Sequence, residues 1–92
     1  MQQNNILPRP EIALFFVFYL QKIKKYPEIK TGDIFECFRE IGYQSYNSLN
    51  YADILNKAKK KGFLNYVNKL WSLTLTGEDF VMNTLNNKGE DK

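Results

Sequence analysis

The chain has 92 residues, of which 43% are hydrophobic and 15% aromatic, and its formal net charge at pH 7 is +3. This length predicts a single domain with one hydrophobic core, and the positive balance modestly favours anionic partners. Histidine is absent and Cys37 is the only cysteine, which excludes a Ser-His-Asp set, an internal disulfide and a Cys/His zinc site. The sequence also contains no glycine-rich phosphate loop. We therefore expect a protein that is not an enzyme and that uses no cofactor and no metal.

The ends of the chain and its longest apolar run bear on location and domain boundaries. The run from Ile12 to Leu20 has nine residues, which is too short to cross a bilayer. Residues 1–11 lack the basic start and long apolar stretch of a signal peptide. We expect a cytoplasmic protein without membrane contact. The composition predicts a flexible segment over residues 1–9, one folded domain over 10–86 and a disordered tail over 87–92.

A first helix is predicted from about residue 10 to residue 25. Pro10 suits the first helical position, and Glu11 lies in the first turn, where the helix dipole favours a negative charge. The helix is apolar on nearly every side, because Leu14, Val17 and Phe18 lie opposite an apolar stripe formed by Ile12, Phe15, Phe16, Tyr19, Leu20 and Ile23. One face can enter the core. The surplus can be covered by the C-terminal helix or by a second copy of the chain, and we expect some of both.

A second helix is predicted over about residues 31–41. Thr31 is the expected N-cap, Asp33 lies in the first turn, and Gly42 fits the left-handed position that follows a helix. The apolar positions at helical spacing predict a buried stripe of Ile34, Phe35, Phe38 and Ile41. Cys37 lies beside this stripe, and we interpret it as a small core residue rather than a reactive thiol.

The most informative stretch is NSLNYADILNKAKKKG, residues 47–62, which predicts an amphipathic helix that becomes strongly basic towards its end. Asn47 or Ser48 is the expected N-cap, and Gly62 ends the helix. The predicted inward residues are Tyr51, Ile54, Leu55 and Ala58, and the outward ones are Asn50, Asp53, Asn56, Lys57, Lys60 and Lys61. Lysines at a helix end also complement the helix dipole, so the run alone does not establish a nucleic-acid site. The tyrosines at positions 43, 46 and 51 can stack on bases, although half-buried packing at the helix junction is favoured.

Two strands, over residues 63–67 and 70–75, are predicted after this helix. In the second strand Trp71, Leu73 and Leu75 alternate with polar residues, which is a half-buried pattern. Residues 68 and 69 form a two-residue hairpin link, because asparagine tolerates positive φ. Thr76, with Asp79 three residues later, predicts the start of a fourth helix whose apolar residues are Phe80, Val81 and Leu85.

Three helices, a hairpin and a closing helix is the order found in winged helix-turn-helix proteins. The clearest similarities are Leu55 and Ala58, the run KKKGFL at 59–64 and the run SLTLTGEDFV at 72–81. The first of these runs resembles a recognition helix that leads directly into a wing, and the second resembles a wing strand that leads into a helix. The chain therefore resembles the winged helix family over residues 11–85. The resemblance implies a mainly α fold with a small β-hairpin, namely a three-helix core, a two-stranded antiparallel wing and a C-terminal helix.

Small stand-alone members of this family are typically transcriptional regulators that bind DNA as dimers. The resemblance thus implies sequence-specific binding of double-stranded DNA by a homodimer, with the third helix in the major groove. The implied DNA contacts are Ser48, Asn50, Asp53, Asn56, Lys57, Lys60, Lys61 and Lys69. Asparagine can pair with adenine, lysine can neutralise phosphates, and aspartate can accept a hydrogen bond from a cytosine amino group. The predicted dimer interface consists of Phe15, Phe16, Phe18, Phe80 and Leu85.

Two other functions remain open at this point. Winged helices also serve as protein-interaction modules, so the chain can instead be an adaptor subunit that binds a protein partner and no DNA. Binding of single-stranded nucleic acid would require exposed aromatic residues in the basic groove. An apolar patch over the third helix would favour the protein partner, whereas an open third helix would favour DNA.

Overall fold

The computed structural model describes residues 8–90, with side chains described through residue 86. Within this range the chain forms four α-helices and one two-stranded antiparallel sheet, which confirms the predicted mainly α class with a small β-hairpin. The elements in chain order are α1 (Arg9–Phe18), a π-helical turn (Tyr19–Ile23), α2 (Thr31–Glu40), a 3-10 turn (Tyr46–Ser48), α3 (Tyr51–Lys60), β1 (Leu64–Val67), β2 (Leu70–Leu73) and α4 (Leu75–Glu90). None of the helices in the described range is long and apolar enough to cross a membrane.

Helix α1 lies at the centre of the core and packs against α2, α3, α4 and β2. Its buried face consists of Ala13, Leu14, Val17 and Leu20. This face lies roughly a third of a turn around the helix from the predicted apolar stripe, of which Leu20 is buried and Ile12, Phe15 and Phe16 are half-buried against the core. Periodicity could not select the face, since α1 is apolar nearly all round. The small side chains of Ala13 and Val17 face the neighbouring elements, and the phenylalanines lie half-buried at the flanks.

The end of α1 is a π-helical turn rather than a continued α-helix to residue 25. The backbone N–H of Lys24 donates to the carbonyl of Tyr19, five residues earlier, at 3.0 Å. Lys25 then adopts a left-handed conformation, with φ of +60°, and stops the helical path. Tyr19 and Ile23 are 44% and 61% exposed, so the apolar surface of this helix continues outside the core.

Two glycines end α2 and α3 as the sequence predicted. Gly42 and Gly62 have φ of +70° and +86°, a region that glycine enters without steric penalty. After α3, the N–H of Phe63 donates to the carbonyl of Ala58 at 3.1 Å, and the N–H of Gly62 donates to that of Lys59 at 2.9 Å. This pair of hydrogen bonds is a Schellman motif, and it turns the chain from α3 directly into β1.

The hairpin has the register in which Leu64 faces Leu73. Its link is the predicted two-residue turn, and Asn68 and Lys69 both have positive φ, +54° and +65°, as in a type I′ turn. Strand β2 ends two residues earlier than predicted. Leu75, expected inside the strand, begins α4 and is 81% exposed.

Trp71 fixes the hairpin to the helical core. The tryptophan is buried, its indole N–H donates to the hydroxyl of Thr31 at 3.0 Å, and its backbone N–H donates to the carbonyl of Ile29 at 2.8 Å. The side-chain oxygen of Gln21 accepts from the backbone N–H of Leu73 at 3.1 Å. Strand β2 is therefore bonded both to α1's continuation and to the segment that precedes α2.

The N-cap of α3 is Asn50, and the predicted caps Asn47 and Ser48 were wrong. The side-chain oxygen of Asn50 accepts from the backbone N–H of Asp53 at 3.1 Å. Asn47 and Ser48 belong to the 3-10 turn that precedes the helix. The reason is that this turn ends in extended backbone at Leu49, so a helix can begin only after it.

The caps of α2 and α4 are also displaced. The N-cap of α2 is Lys30 rather than Thr31, and the Asp33 carboxylate accepts from the Lys30 N–H at 2.8 Å. Thr31 is the first helical residue, and its hydroxyl accepts the hydrogen bond from the Trp71 indole N–H instead. At the start of α4 the hydroxyl of Thr74, not Thr76, accepts from the backbone N–H of the residue three positions later, at 2.9 Å.

Three tyrosines pack where the helices meet, as the sequence favoured. The rings of Tyr43, Tyr46 and Tyr51 lie with centroids 5.0–5.9 Å from those of Phe35 or Phe38. The hydroxyl of Tyr51 donates to the carbonyl of Tyr46. These rings are committed to intramolecular packing, so they are not free to stack on bases.

Several predicted boundaries differ from the structure. Ile41, expected in the buried stripe of α2, is 59% exposed because it is the C-cap. Helix α4 continues to Glu90, past the residue where a disordered tail was predicted to begin. Arg9, assigned to the flexible N-terminal segment, is the first residue of α1. The predictions for residues 1–7 and 91–92 lie outside the described range.

Candidate nucleic-acid interface

Helix α3 buries one side and exposes the other. The buried residues are those predicted, namely Tyr51, Ile54, Leu55 and Ala58. At about 100° per residue, Asp53, Asn56 and Lys60 lie at the centre of the opposite side, with Lys57 and Lys59 at its two edges. All five are exposed. We refer to these five residues as the α3 face.

Positive charge on the α3 face increases towards the C-terminal end of the helix. The Nζ atom of Lys57 lies 3.4 Å from the carboxylate of Asp53, and both side chains are more than half exposed. An exposed pair of this kind contributes only about 0.3–0.5 kcal/mol, so a phosphate can displace the aspartate. Lys59 and Lys60 form no ion pair with the side chains described between residues 8 and 86. Their ammonium groups are available to an anionic partner.

Lys61, a predicted DNA contact, is directed towards α1. It is the C-cap of α3, and its Nζ atom lies 3.5 Å from the carboxylate of Glu11, whose side chain is only 17% exposed. This ion pair joins the end of α3 to the first turn of α1. Lys61 therefore contributes to the position of the helix, unlike Lys60 beside it.

The two predicted contacts that precede α3 have different environments. The side-chain oxygen of Asn50 is bonded to the helix terminus, so a bidentate pair with adenine would compete with the cap. Ser48 is exposed in the 3-10 turn. Both residues line a shallow cleft at the N-terminal end of the α3 face.

This cleft has a volume of about 340 Å³ and brings in a residue that the sequence did not indicate. Its lining consists of Arg9, Pro10, Ser48, Leu49, Asn50, Asp53, Ile54 and Lys57. Arg9 is exposed and also borders a second cleft beside Tyr43, Gln44 and Ser45. No local sequence pattern indicates this position, because only the packing of α1 against α3 brings residue 9 near residue 50. The structure thus supplies the guanidinium that α3 and the hairpin lack.

The hairpin tip carries one basic side chain. Lys69 is exposed in the two-residue turn, next to Val67, which is 64% exposed. On the same hairpin the ring of Tyr66 stacks on Trp71 with centroids 4.1 Å apart. The turn conformation and this stacking hold Lys69 at the outer end of a rigid two-stranded element.

A second feature is an apolar groove of about 460 Å³ between α1, its π-helical turn, α2 and α4. Its lining is Phe15, Phe16, Phe18, Tyr19, Ile23, Cys37, Glu40, Ile41, Val81 and Leu85. Four of the five predicted dimer residues therefore lie around it. The fifth, Phe80, instead stacks on Phe63 with centroids 4.9 Å apart and meets Phe15 edge-on at 6.5 Å. We refer to this feature as the apolar groove.

Cys37 lines this groove, and the pKa of its thiol is raised. The pKa of its thiol is raised to about 11, mainly by burial and then by the nearby carboxylates of Glu40, Asp33 and Glu36. The thiol is therefore protonated at neutral pH, in agreement with its interpretation as a packing residue. Of these three carboxylates only that of Glu40 lines the groove, and Glu36 is paired with Arg39.

The chain matches no protein-family model, no curated protein and no solved structure. Among the described residues, no three or more His, Cys, Asp and Glu side chains are grouped so as to hold a metal ion. Fold and surface together define a small, mainly helical protein in which an exposed basic helix leads directly into a β-hairpin.

Proposed function

We propose that this protein is a winged helix protein that binds double-stranded DNA sequence-specifically and acts as a transcriptional regulator. The observation that carries the proposal is the α3 face. It is polar and basic, it is exposed along the whole helix, and the helix passes through Gly62 directly into the hairpin. Because an α-helix fits the major groove of B-DNA, this face can reach base edges while its lysines approach phosphates.

The arrangement of elements supports the winged helix assignment. Three helices precede the hairpin and a fourth follows it, in the order α1, α2, α3, β1, β2, α4. The Schellman motif at Gly62 leaves no room for a flexible linker between α3 and β1. The hydrogen bonds of Trp71 fix the hairpin to the helical core. Helix and hairpin would therefore meet DNA as one rigid unit.

We assign distinct roles to the residues of this surface. Asn56 and Asp53, at the centre of the α3 face, are the candidates for base readout, because asparagine pairs with adenine and aspartate accepts from cytosine. Lys57, Lys59 and Lys60 are the candidates for phosphate contacts. The exposed basic residues beyond the helix, namely Arg9 at the N-terminal cleft and Lys69 at the hairpin tip, extend the contact along the backbone.

The distribution of exposed apolar residues favours DNA over a protein partner at α3. In the described range the large exposed hydrophobic residues are Tyr19, Ile23, Tyr26, Ile41, Tyr66, Val67, Leu75, Met82 and Leu85, and none belongs to α3. A protein-binding face would be expected to contain such residues at its centre. Single-stranded nucleic acid is also disfavoured, because the tyrosines near α3 are occupied in packing.

We further propose that two copies act together, with α4 as the contacting helix. Leu75, Met82 and Leu85 share one side of α4 and are 81%, 42% and 46% exposed. Of the five residues predicted for the interface, only Leu85 is exposed to this extent. The four phenylalanines are half-buried within the protomer and would support the interface from beneath. A monomeric mass at micromolar concentration would contradict this part of the proposal.

The α3 face is tested by the double variant Lys57→Ala/Lys60→Ala. Binding to random-sequence duplex DNA is measured by fluorescence anisotropy at two salt concentrations. Each lost phosphate contact is expected to reduce the slope of log K against log salt by roughly 0.9, so the double variant should lose up to about 2. Both substitutions lie on an exposed surface, so folding should be little affected.

The matched control is Lys24→Ala/Lys30→Ala, which removes the same charge from exposed positions outside the α3 face. It should keep most of the wild-type affinity and slope. Equal losses in the two double variants would show that net charge alone, rather than the α3 face, governs binding. Unchanged binding in Lys57→Ala/Lys60→Ala would contradict the assignment of the face.

A further inference from the structure

We propose that the apolar groove is a binding site for a lipophilic cation, a small and mainly aromatic molecule with a single positive charge. The site lies between α1, α2 and α4, and it involves none of the residues to which DNA contacts are assigned. Its occupant is defined by three properties of the groove: its size, its aromatic lining and its one charged residue.

The dimensions and composition of the groove suit a small organic molecule. Ligand sites in proteins typically measure about 300–1,000 Å³ and are lined mainly by apolar and aromatic side chains. The apolar groove has about 460 Å³, and four aromatic rings, those of Phe15, Phe16, Phe18 and Tyr19, contribute to its wall. Ile23 and Ile41, 61% and 59% exposed, stand at its rim. An aromatic molecule of this size would cover apolar surface that the protomer leaves open to water.

The sign of the charge follows from Glu40, the only charged side chain among the described residues that line the groove. Glu40 ends α2, where the helix dipole disfavours a carboxylate, so it does not serve the stability of that helix. It forms no ion pair with the side chains described between residues 8 and 86. A bound cation would neutralise it, and the aromatic faces would add cation–π attraction.

Arg39, which precedes Glu40 in the chain, pairs with Glu36 and does not line the groove. Lys22, on the π-helical turn, has its Nζ atom 3.3 Å from the carboxylate of Glu78 on α4 and does not line the groove. No basic side chain is among the described residues that line the groove, so an anionic ligand would meet the Glu40 carboxylate alone there.

Glu40 also argues against a second copy as the occupant. In a two-fold contact centred on the groove, the Glu40 side chains of both copies would enter an apolar interface together. Burial of unneutralised carboxylates is strongly unfavourable, whereas the exposed edge of α4 offers a dimer contact without this penalty. The groove and the proposed dimer contact are thus adjacent surfaces that share Leu85 at their border.

The test uses two nearly isosteric probes of opposite charge, tetraphenylphosphonium and tetraphenylborate, titrated into the DNA-free protein by calorimetry. An ion pair at a partly exposed site changes affinity roughly two- to fivefold. Reversal of the ligand charge replaces attraction by repulsion, so we expect the cation to bind about four to twenty-five times more tightly. Glu40→Gln should bring the two affinities close together, and Glu40→Lys should reverse the preference.

Two control variants separate the site from general effects of charge and fold. Glu28→Gln changes an exposed glutamate outside the groove and should leave the preference for the cation unchanged. Ile41→Ser alters an exposed residue at the rim that is not part of the core, and it should weaken the binding of both probes. Occupancy by the cation should also slow alkylation of Cys37, which lines the groove.

Three results would overturn the proposal. They are the absence of saturable binding of the cation, equal or tighter binding of the anion, and a preference that survives in Glu40→Gln. A fourth result would assign the groove to a second copy instead. In that result the protein sediments as a dimer, Cys37 is shielded from alkylation in the dimer, and neither probe binds to the groove.

Discussion

The contact between α4 and the end of α3 makes Gly77 a position where a single methyl group has a large effect. A Cβ atom built on Gly77 would lie 2.2 Å from the carbonyl oxygen of Phe63, and the nearby carbonyl carbon would lie 3.0 Å away. The obstacle is backbone, which cannot rotate away as a side chain can. In Gly77→Ala the start of α4 must therefore move away from the α3–β1 junction.

The size of the effect follows from three contributions. Overpacking of a tight contact costs about 1–3 kcal/mol. The movement also strains the hydrogen bond from the Thr74 N–H to the Phe63 carbonyl at 3.0 Å, worth about 1 kcal/mol. Alanine gains back up to about 1 kcal/mol of helix propensity. We expect Gly77→Ala to lower the free energy of unfolding by about 1–3 kcal/mol, which corresponds to a fall in Tm of roughly 4–24 °C for a domain of this size.

Gly32→Ala provides the matched control, because Gly32 lies in the first turn of α2 and its added Cβ would meet no atom within 4 Å. The same substitution there should raise stability by about 0.5 kcal/mol, since it restricts the unfolded chain and favours helix. Both variants are measured by thermal unfolding followed by circular dichroism. A Gly77→Ala protein as stable as Gly32→Ala would refute the close approach of α4 to Phe63.

Two further predictions concern single residues. Asn50→Ala should destabilise the protein by about 1 kcal/mol in urea unfolding, because the cap on the Asp53 N–H is lost. Asn50→Asp should stay within a few tenths of a kcal/mol of the wild type. Equal stabilities of the two variants would contradict the role of Asn50 as a cap. The raised pKa of Cys37 means that the unfolded chain releases the thiol proton near pH 9.0, before the folded protein does at about 11. Folded stability should therefore fall as pH rises from 9 to 11, and Cys37→Ala should reduce this fall; identical pH profiles of unfolding for the two proteins would disprove the shift.

Features governed by local backbone chemistry could be predicted from the sequence. Gly42, Gly62 and Asn68 have positive φ, and each follows from the steric freedom of glycine or asparagine in its own turn. The inward residues of α3 were also predicted correctly, because this helix is polar on one side and apolar on the other.

Features that depend on tertiary packing could not be predicted in the same way. The buried face of α1 could not be predicted, because a helix that is apolar on nearly every side shows no periodic pattern that marks one face. The observed helix caps lie one to three residues from their predicted positions, because contacts with neighbouring elements determine where a helix begins. Only the packing of α1 on α3 brings Arg9 to the cleft beside Asn50, and only the same packing brings Lys61 to Glu11.

The central claim, that the α3 face binds DNA, is tested most directly by the salt dependence of wild-type binding to random-sequence duplex DNA. The available cations are Lys57, Lys59 and Lys60 on α3, with Arg9 and Lys69 beside them. If three to five of these neutralise phosphates, log K should fall against log salt with a slope of roughly −3 to −4.5 per protomer. The account predicts binding at low salt that weakens with this steepness. No binding at low salt, or an affinity that does not change with salt, would contradict it.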